Sequence, residues 1–587
     1  MGIFKSVIAA SMMALAFALT PSPGSAQLAP AAPEPPSGLE VKALATAKKF
    51  MVAAANPLAV DAGVEILKAG GSAVDAAIAV QLVLNLVEPQ SSGLGGGAFL
   101  VHFDARSGRI RTWDGRETAP AAAKSDRFMR PDGGQRGFNE AVFGGQSVGT
   151  PGVVALLVET HKRLGKLPWA RLFEPAIRLA DDGFEVSRRL NMLITTLGPQ
   201  NFDATARAYF FDEAGAPRPV GYLLKSPAFA QTLRAIAANG ADGFYKGPVA
   251  EAIVKAVREA PNHQGDITLE DLAGYRVVER EPVCATYRRH RICGMGAPSS
   301  GMLTIGQTLK LVEPFDLGRS PLDDRGMHLI GEAQKLAYAD RDRYIADPAF
   351  VGVPGGLLDG AYLDARRATI DPSQMRQPVA DPGFPPGAGA LRAGIDATME
   401  SFGTSHVSIV DARGDAVAMT TTIENAFGAR LMAAGFLLNN ELTDFSFRDR
   451  DANGNPIANA VAGGKRPRSS MAPTIVLGPD RKLRAVLGSP GGSRIILYVT
   501  KLTVGLIDWK LDAQAAADLP NFGARNTGDF EIEAALSGAL PVAKLRARGH
   551  RVTAPDMTSG VHLIVRRADG TLEGGADPRR EGVARGE

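Results

Sequence analysis

From Gly403 to Asp411 the chain reads Gly-Thr-Ser-His-Val-Ser-Ile-Val-Asp, with Thr404, His406 and Ser408 on one parity and Val407 and Ile409 on the other. A period of two marks a strand with one polar face. Ala412-Arg413-Gly414 has the length and closing glycine of a three-residue hairpin loop. If Asp411 pairs with Asp415, the returning strand over 416–423 places Thr422 directly opposite Thr404. Cross-strand neighbours at that spacing reach one another, so one hydroxyl can orient the other. The rest of the chain is organised around this hairpin.

Gly403 precedes Thr404. A glycine tolerates the strained backbone that brings the next hydroxyl against its own carbonyl. A threonine freed at that bond carries a nucleophilic Oγ and an α-amine to serve as its base. Gly-Thr is a common dipeptide, and by itself it opens many strands that do no chemistry.

Three further stretches raise its significance. They are Leu437-Leu438-Asn439-Asn440-Glu441-Leu442-Thr443-Asp444-Phe445-Ser446, Arg466-Pro467-Arg468-Ser469-Ser470-Met471-Ala472-Pro473-Thr474 and Gly488-Ser489-Pro490-Gly491-Gly492-Ser493-Arg494. Together with Thr404-Ser405-His406, and in this order, they resemble the γ-glutamyltranspeptidases, which are N-terminal-nucleophile hydrolases. The resemblance runs from about Met51 to about Arg579. It implies an α+β fold, a four-layer αββα sandwich. It also implies a precursor cut between Gly403 and Thr404 into a helix-rich large subunit, 27–403, and a β-rich small subunit, 404–587, held as a heterodimer.

The resemblance also assigns roles. Thr404 is the nucleophile, Thr422 its partner, and the Gly491-Gly492 amides the oxyanion donors. Arg116 matches the arginine that grips the substrate α-carboxylate, with Ser469 and Ser470 beside it, and Asp444 matches the carboxylate for the α-ammonium. Glu441 aligns with an assisting Gln or Glu. Glu424 stands where the family commonly has Asn, adding negative charge near the ammonium. Residues 447–457 begin a stretch shorter than the lid of many relatives and without its Tyr. The residue types fit the chemistry independently: a cation for a carboxylate and anions for an ammonium make a clamp for an amino-acid head. Each also has an ordinary alternative: a surface salt bridge for Arg116, a helix cap for the serines, a solvated turn for the acids, a tight turn for the glycines.

The implied substrates are glutathione, other γ-glutamyl compounds and amino-acid or peptide acceptors, with no cofactor. Two rival readings stand beside a γ-glutamyltransferase: a related glutaryl or cephalosporin acylase, motivated by Glu424 and the altered lid, and a catalytically dead periplasmic binding protein.

Lys5, the apolar run 7–19 and the small residues Gly24-Ser25-Ala26 make residues 1–26 a secretory signal, so the mature protein is expected to be periplasmic or secreted. This mostly apolar run of 13 residues is too short to span a bilayer, which needs about 20. Net charge is +3, from 65 Lys and Arg against 62 Asp and Glu, and there is no basic stripe, so nucleic acid is not an expected partner. The eight histidines are scattered, with no metal-ligand spacing. His406 shares the polar face with Thr404 but lies farther from its Oγ than the freed amine would, so a structural role is expected for it.

The two cysteines, Cys284 and Cys293, flank Arg288-Arg289 symmetrically. A two-residue turn there opposes them directly, and an exported chain permits a disulfide; Arg-Arg is poor chemistry for the positive φ required, and two buried thiols are the alternative. Asn56-Pro57 and Ser72 with Asp75 read as helix starts. Gly93-Leu94-Gly95-Gly96-Gly97 lies between a helix and a strand, the wrong order for a phosphate loop, and reads as close backbone packing. Helices are expected at 153–163, 170–182, 228–238, 326–339, 513–518 and 541–548, and strands and hairpins from 404 to about 499. Residues 297–303 read as a loop entering a helix, with no chemistry assigned, and 371–389 as an exposed connector.

Overall fold

In the computed structural model, which describes residues 35–389, 393–398 and 403–587, the strand Gly403–Val410 pairs antiparallel with Ala416–Glu424. Thr404 faces Thr422 and Val410 faces Ala416, the register set by the three-residue loop. The Asp411 N–H donates to the Asp415 carbonyl at 2.9 Å, and Gly414 takes the left-handed conformation at φ +84°. The ladder slips by one residue at Gly403, which lies opposite Glu424. The expected signal segment lies outside the described residues.

This hairpin is the centre of a seven-stranded sheet in the order Val583–Gly586, Met51–Ala54, Gly403–Val410, Ala416–Glu424, Gly97–Phe103, Ile110–Gly115 and Val278–Arg280. A second seven-stranded sheet runs Ala45–Ala47, Leu572–Ala576, His562–Arg566, Leu483–Gly488, Thr474–Leu477, His290–Gly294 and Val283–Tyr287. Three apolar clusters show the layers. Val52, Leu100, Val407, Ile409 and Val417 meet helices Pro57–Lys68 and Ala73–Val87 on the outside of the first sheet. Ala53, Val101, Val410, Ala418, Ile475, Val486 and Ile564 fill the space between the sheets. Ile292, Leu487, Leu563 and Val565 meet helices Gly301–Val312, Asp324–Tyr344 and Ile495–Ile507 on the far side. The result is an αββα sandwich.

Each sheet draws strands from both sides of residue 403. In both sheets strands from before and after residue 403 pair directly, as Met51–Ala54 does with Gly403–Val410 and His290–Gly294 with Thr474–Leu477, and neither segment owns a sheet. A break at Gly403–Thr404 would leave both ladders in place.

Local sequence explains most elements. The Asn56 side chain accepts from the Leu58 N–H ahead of Pro57, and Ser72 with Asp75 forms a reciprocal capping box. In the glycine loop, a Cβ on Gly96 would lie 1.9 Å from the Thr422 carbonyl oxygen, so a side chain there would displace the central hairpin. Cys284 and Cys293 are directly opposed and joined by a disulfide, and Arg288 and Arg289 hold positive φ of 47° and 68°.

The expectation of strands up to about 499 is corrected by the helix Ile495–Ile507. All 13 of its residues are buried. A helix covered all round has no apolar stripe to give the 3.6-residue signal, and its β-branched residues imitate a strand. The expected helix over 170–182 is a 3-10 turn, Trp169–Phe173, followed by the helix Glu174–Asp182.

Candidate active site

The open end of the central hairpin lies in a cleft of about 260 Å³ lined by Arg116, Thr404, Thr422, Glu424, Glu441, Asp444, Ser469, Ser470, Met471, Gly492 and Ile495. Five segments of the chain thus bring nine of the ten site residues expected from sequence to one place. The tenth, Gly491, immediately precedes Gly492.

Three polar groups converge on the Thr422 hydroxyl. The Thr404 Oγ donates to it at 3.3 Å and the Glu424 N–H at 2.8 Å, and it donates in turn to the Gly403 carbonyl at 2.6 Å. A hydroxyl has one proton and two lone pairs, so this set satisfies it completely. Thr422 therefore touches both the hydroxyl that would attack and the carbonyl that would be attacked. The slip in register at Gly403 turns that carbonyl toward Thr422. Glu424, at φ +75°, holds a conformation rare outside glycine, and such residues concentrate at functional sites. Its carboxylate accepts from Asn440 Nδ2.

Opposite stands Arg116, held at the end of strand Ile110–Gly115. It is 1% exposed, so the surface salt bridge weighed from sequence is not its setting. Its guanidinium pairs with Glu441 and, at 2.5 Å, with Asp444 Oδ2, and donates to the carbonyls of Pro467 and Arg468. Glu117 approaches to 4.0 Å. Burial pulls the Arg116 guanidinium toward neutrality, but Glu441, Asp444 and Glu117 more than offset it. The carboxylates compete with one another for a single cation. Burial pushes Glu117 up to about 7 despite Arg116, and burial together with Glu117 raises Glu441 well above the usual carboxylate range.

Gly491 and Gly492 carry φ of +137° and +55°, and a Cβ on Gly491 would lie 2.6 Å from the Tyr498 ring. Both positions need glycine for conformation, and the first also for space. The 3-10 turn Gly492–Arg494 leads into helix Ile495–Ile507, whose N-terminal dipole adds positive potential at the cleft.

Several supporting residues carry no signal in the sequence. Residues 297–303 form the seat of the serine pair: the Ser299 hydroxyl donates to the Met471 carbonyl at 2.6 Å, and the Ser300 hydroxyl to that of Ser469 at 2.8 Å. Arg341, from helix Asp324–Tyr344, donates from Nη2 to Ser470 Oγ at 2.7 Å and from Nε to Ser300 Oγ at 2.9 Å. With a lone pair so engaged, the Ser470 proton is directed away from Arg341. Asn459 donates to the Asp444 carbonyl at 2.8 Å and accepts from the Arg468 N–H at 2.9 Å, holding both walls of the clamp. None of these contacts has a fixed spacing to find; only the folded chain brings them together.

His406 is fully buried, with its ring nitrogens 2.8 Å from Thr420 Oγ and 3.0 Å from Ser408 Oγ. Burial, aided by His562, holds it far below the usual imidazole range, so it is neutral and internally bonded. It buttresses the hairpin.

The family model for Gamma-glutamyltranspeptidase matches residues 59–587. The Glutathione hydrolase proenzyme of Escherichia coli (strain K12) is 37% identical over 580 residues, covering 97% of both chains. The Acylase ACY 1 proenzyme of Pseudomonas sp. (strain SE83) is 35% identical over 549 residues, covering 92% of this chain and 94% of its own. Among solved structures, the cephalosporin acylase from Bacillus halodurans superposes with a TM-score of 0.80 at 27% identity, over 93% of this chain and 97% of that one. The αββα sandwich is accordingly that of the N-terminal-nucleophile hydrolases. Matched along nearly its whole length by family model and relatives alike, the chain belongs to the γ-glutamyltranspeptidase family.

Proposed function

We propose that the chain is the precursor of an exported γ-glutamyltransferase and glutathione hydrolase. It cuts itself at Gly403–Thr404 and then works through a Thr404 acyl-enzyme. The observation that carries this reading is the single hydroxyl of Thr422 bonded to both the Thr404 Oγ and the Gly403 carbonyl, facing a buried arginine–carboxylate clamp.

Maturation follows from that contact. Thr404 Oγ attacks the Gly403 carbonyl carbon, whose oxygen is polarised by the Thr422 hydroxyl. The C–N bond breaks, the Oγ–C ester forms, and the proton from Oγ passes to the departing amine. Water then cleaves the ester, leaving a Gly403 carboxylate and a Thr404 with a free α-amine. In turnover that amine takes the Oγ proton as Oγ attacks a γ-glutamyl carbonyl. The Gly491 and Gly492 amides, with the helix dipole behind them, stabilise the oxyanion. The acyl group passes to water or to an amino-acid or peptide amine. The two segments, 27–403 and 404–587, stay together because they share both sheets.

Binding at the clamp is an exchange. Arg116 is already paired, so an incoming α-carboxylate takes the place held by Asp444, and Asp444 turns to the α-ammonium. Ser469 and Ser470 supply the remaining donors for the carboxylate. Residues 1–26 direct the precursor out of the cytoplasm and are removed.

The acylase reading draws support from the likeness to Acylase ACY 1 and the cephalosporin acylase. The charge around the cleft weighs against it: Glu424, Glu441, Asp444 and the nearby Glu117 suit a head group carrying an ammonium, which a glutaryl group lacks. Turnover of γ-glutamyl-p-nitroanilide against glutaryl-p-nitroanilide decides the matter. We expect a clear preference for the γ-glutamyl compound, and preference for the glutaryl compound would overturn the assignment.

A further inference from the structure

Away from the cleft, helix Asp324–Tyr344 carries His328 and Glu332 one turn apart, on the same face. His550, which follows the short helix Val542–Ala547, packs its ring against Phe530 and turns toward them. All three side chains are buried, and one ligand atom from each lies within 4.8 Å of the others. The histidines are scattered in sequence, but the fold gathers these two with a carboxylate.

The hydrogen bonds set the imidazole geometry. His328 Nε2 faces the Asp371 carbonyl oxygen at 2.8 Å. A carbonyl only accepts, so Nε2 carries the proton and Nδ1 presents a bare lone pair. That lone pair accepts a hydrogen bond from His550 Nε2, 2.7 Å away. A histidine whose far nitrogen donates to a backbone carbonyl, fixing the near nitrogen as a lone-pair donor, has the outer support typical of a metal ligand. Lys335 lies 2.7 Å from one Glu332 oxygen and donates to the Gln377 carbonyl at 2.6 Å, which holds the carboxylate in place.

We propose that His328, Glu332 and His550 form a binding site for one divalent transition cation, with Zn²⁺ the best fit. Two imidazoles and a carboxylate are a borderline-soft donor set suited to zinc rather than to calcium or magnesium. His550 shifts its proton from Nε2 to Nδ1, the two facing nitrogens separate slightly to admit the ion, and the Glu332 oxygen not held by Lys335 completes the protein's three ligands. The Lys335 charge weakens the site without removing it. His328 and Glu332 belong to the segment before residue 403 and His550 to the segment after it. Given the cleavage proposed above, the ion staples the two subunits of the mature enzyme, and through Asp371 and Gln377 it anchors the start of the connector that leads to the cut.

Metal binding is measured on the self-processed enzyme and on the uncut Thr404→Ala chain, so the site is tested whether or not cleavage occurs. Both are stripped with chelator, equilibrated with ZnCl₂ and analysed for bound zinc, with Co²⁺ substitution read by its visible absorption. The variants are His550→Gln and, as a milder change, Glu332→Gln. We expect one equivalent of zinc in both parent chains, a Co²⁺ band, and a thermal midpoint raised by zinc. His550→Gln should lose the equivalent, the band and the thermal shift, and Glu332→Gln should bind at least tenfold more weakly. Parent chains that take up no zinc, or variants that bind as well as the parents, overturn the proposal. Zinc bound by the uncut chain but not by processed enzyme keeps the site and refutes the staple.

Discussion

Glu117 lies fully buried beside Arg116 and Glu441, and its carboxyl titrates near 7 instead of at 4.5. The sign of the consequence is fixed. Between pH 4.5 and 7 the folded protein holds a proton on Glu117 that the unfolded chain has released, so this group's contribution to stability declines as pH rises through that window. The rise from 4.5 to about 7 corresponds to about 3 kcal/mol, complete by pH 8. Glu117→Gln replaces the carboxyl with a neutral group of the same shape and abolishes that dependence. A chain of this length unfolds with an entropy of about 1.2 kcal/mol/K, so about 3 kcal/mol moves the thermal midpoint by about 3 °C. Buried histidines such as His406 and His562 act in the opposite direction below pH 6.5, which is why the variant must be compared with the parent at each pH. The assay is a differential scan of parent and Glu117→Gln, both carrying Thr404→Ala so that a single chain unfolds. Relative to the parent, the variant should gain about 2 °C between pH 5 and pH 8, since part of the change is already complete at pH 5. A difference that is the same at both pH values refutes the assignment of a neutral Glu117 to the clamp at low pH.

Arg116→Ala should still be cut at residue 403, since among the described residues its hydrogen bonds and ion pairs go to Glu441, Asp444, Glu117 and the carbonyls of Pro467 and Arg468. Its kcat/KM should fall by a factor equivalent to about 2–5 kcal/mol, and its thermal midpoint should also drop because buried carboxylates lose their cation; an unchanged kcat/KM would remove it from the clamp. Gly491→Ala places a methyl group 2.6 Å from the Tyr498 ring at φ +137°, so kcat should fall about 100-fold or more in steady-state assays. Wild-type kcat there would show that these glycines form only a turn. Thr422→Val removes the donor to the Gly403 carbonyl, and a time course on denaturing gels should show the precursor persisting far longer than the parent.

The central hairpin was legible because its constraints are local. Alternation identifies the strand, the Gly414 loop fixes the register, and the register alone pairs Thr404 with Thr422. The Cys284–Cys293 hairpin was legible for the same reason, even with two arginines in left-handed positions. The roles of Arg116, Asp444 and the serine pair came from resemblance, and the fold brings these residues into one cleft. What could not be read depends on distant contacts. The burial of Arg116 among three carboxylates, the support of Ser469 and Ser470 by Ser299, Ser300 and Arg341, and the meeting of His328 with His550 leave no periodic trace. Helix Ile495–Ile507 escaped for a different reason: surrounded on every side, it has no polar face to reveal its period.

Separate expression of the two segments tests directly whether Thr404 is the nucleophile of turnover as well as of maturation. Residues 27–403 and 404–587 are produced as two chains and combined, with the initiator Met removed so that Thr404 begins the second chain with a free amine. Hydrolysis of γ-glutamyl-p-nitroanilide is then measured for the parent pair and for the Thr404→Ala pair, neither of which needs cleavage. The parent pair should be active and the Thr404→Ala pair at background. Equal activity in the two pairs would leave Thr404 with a role in processing alone.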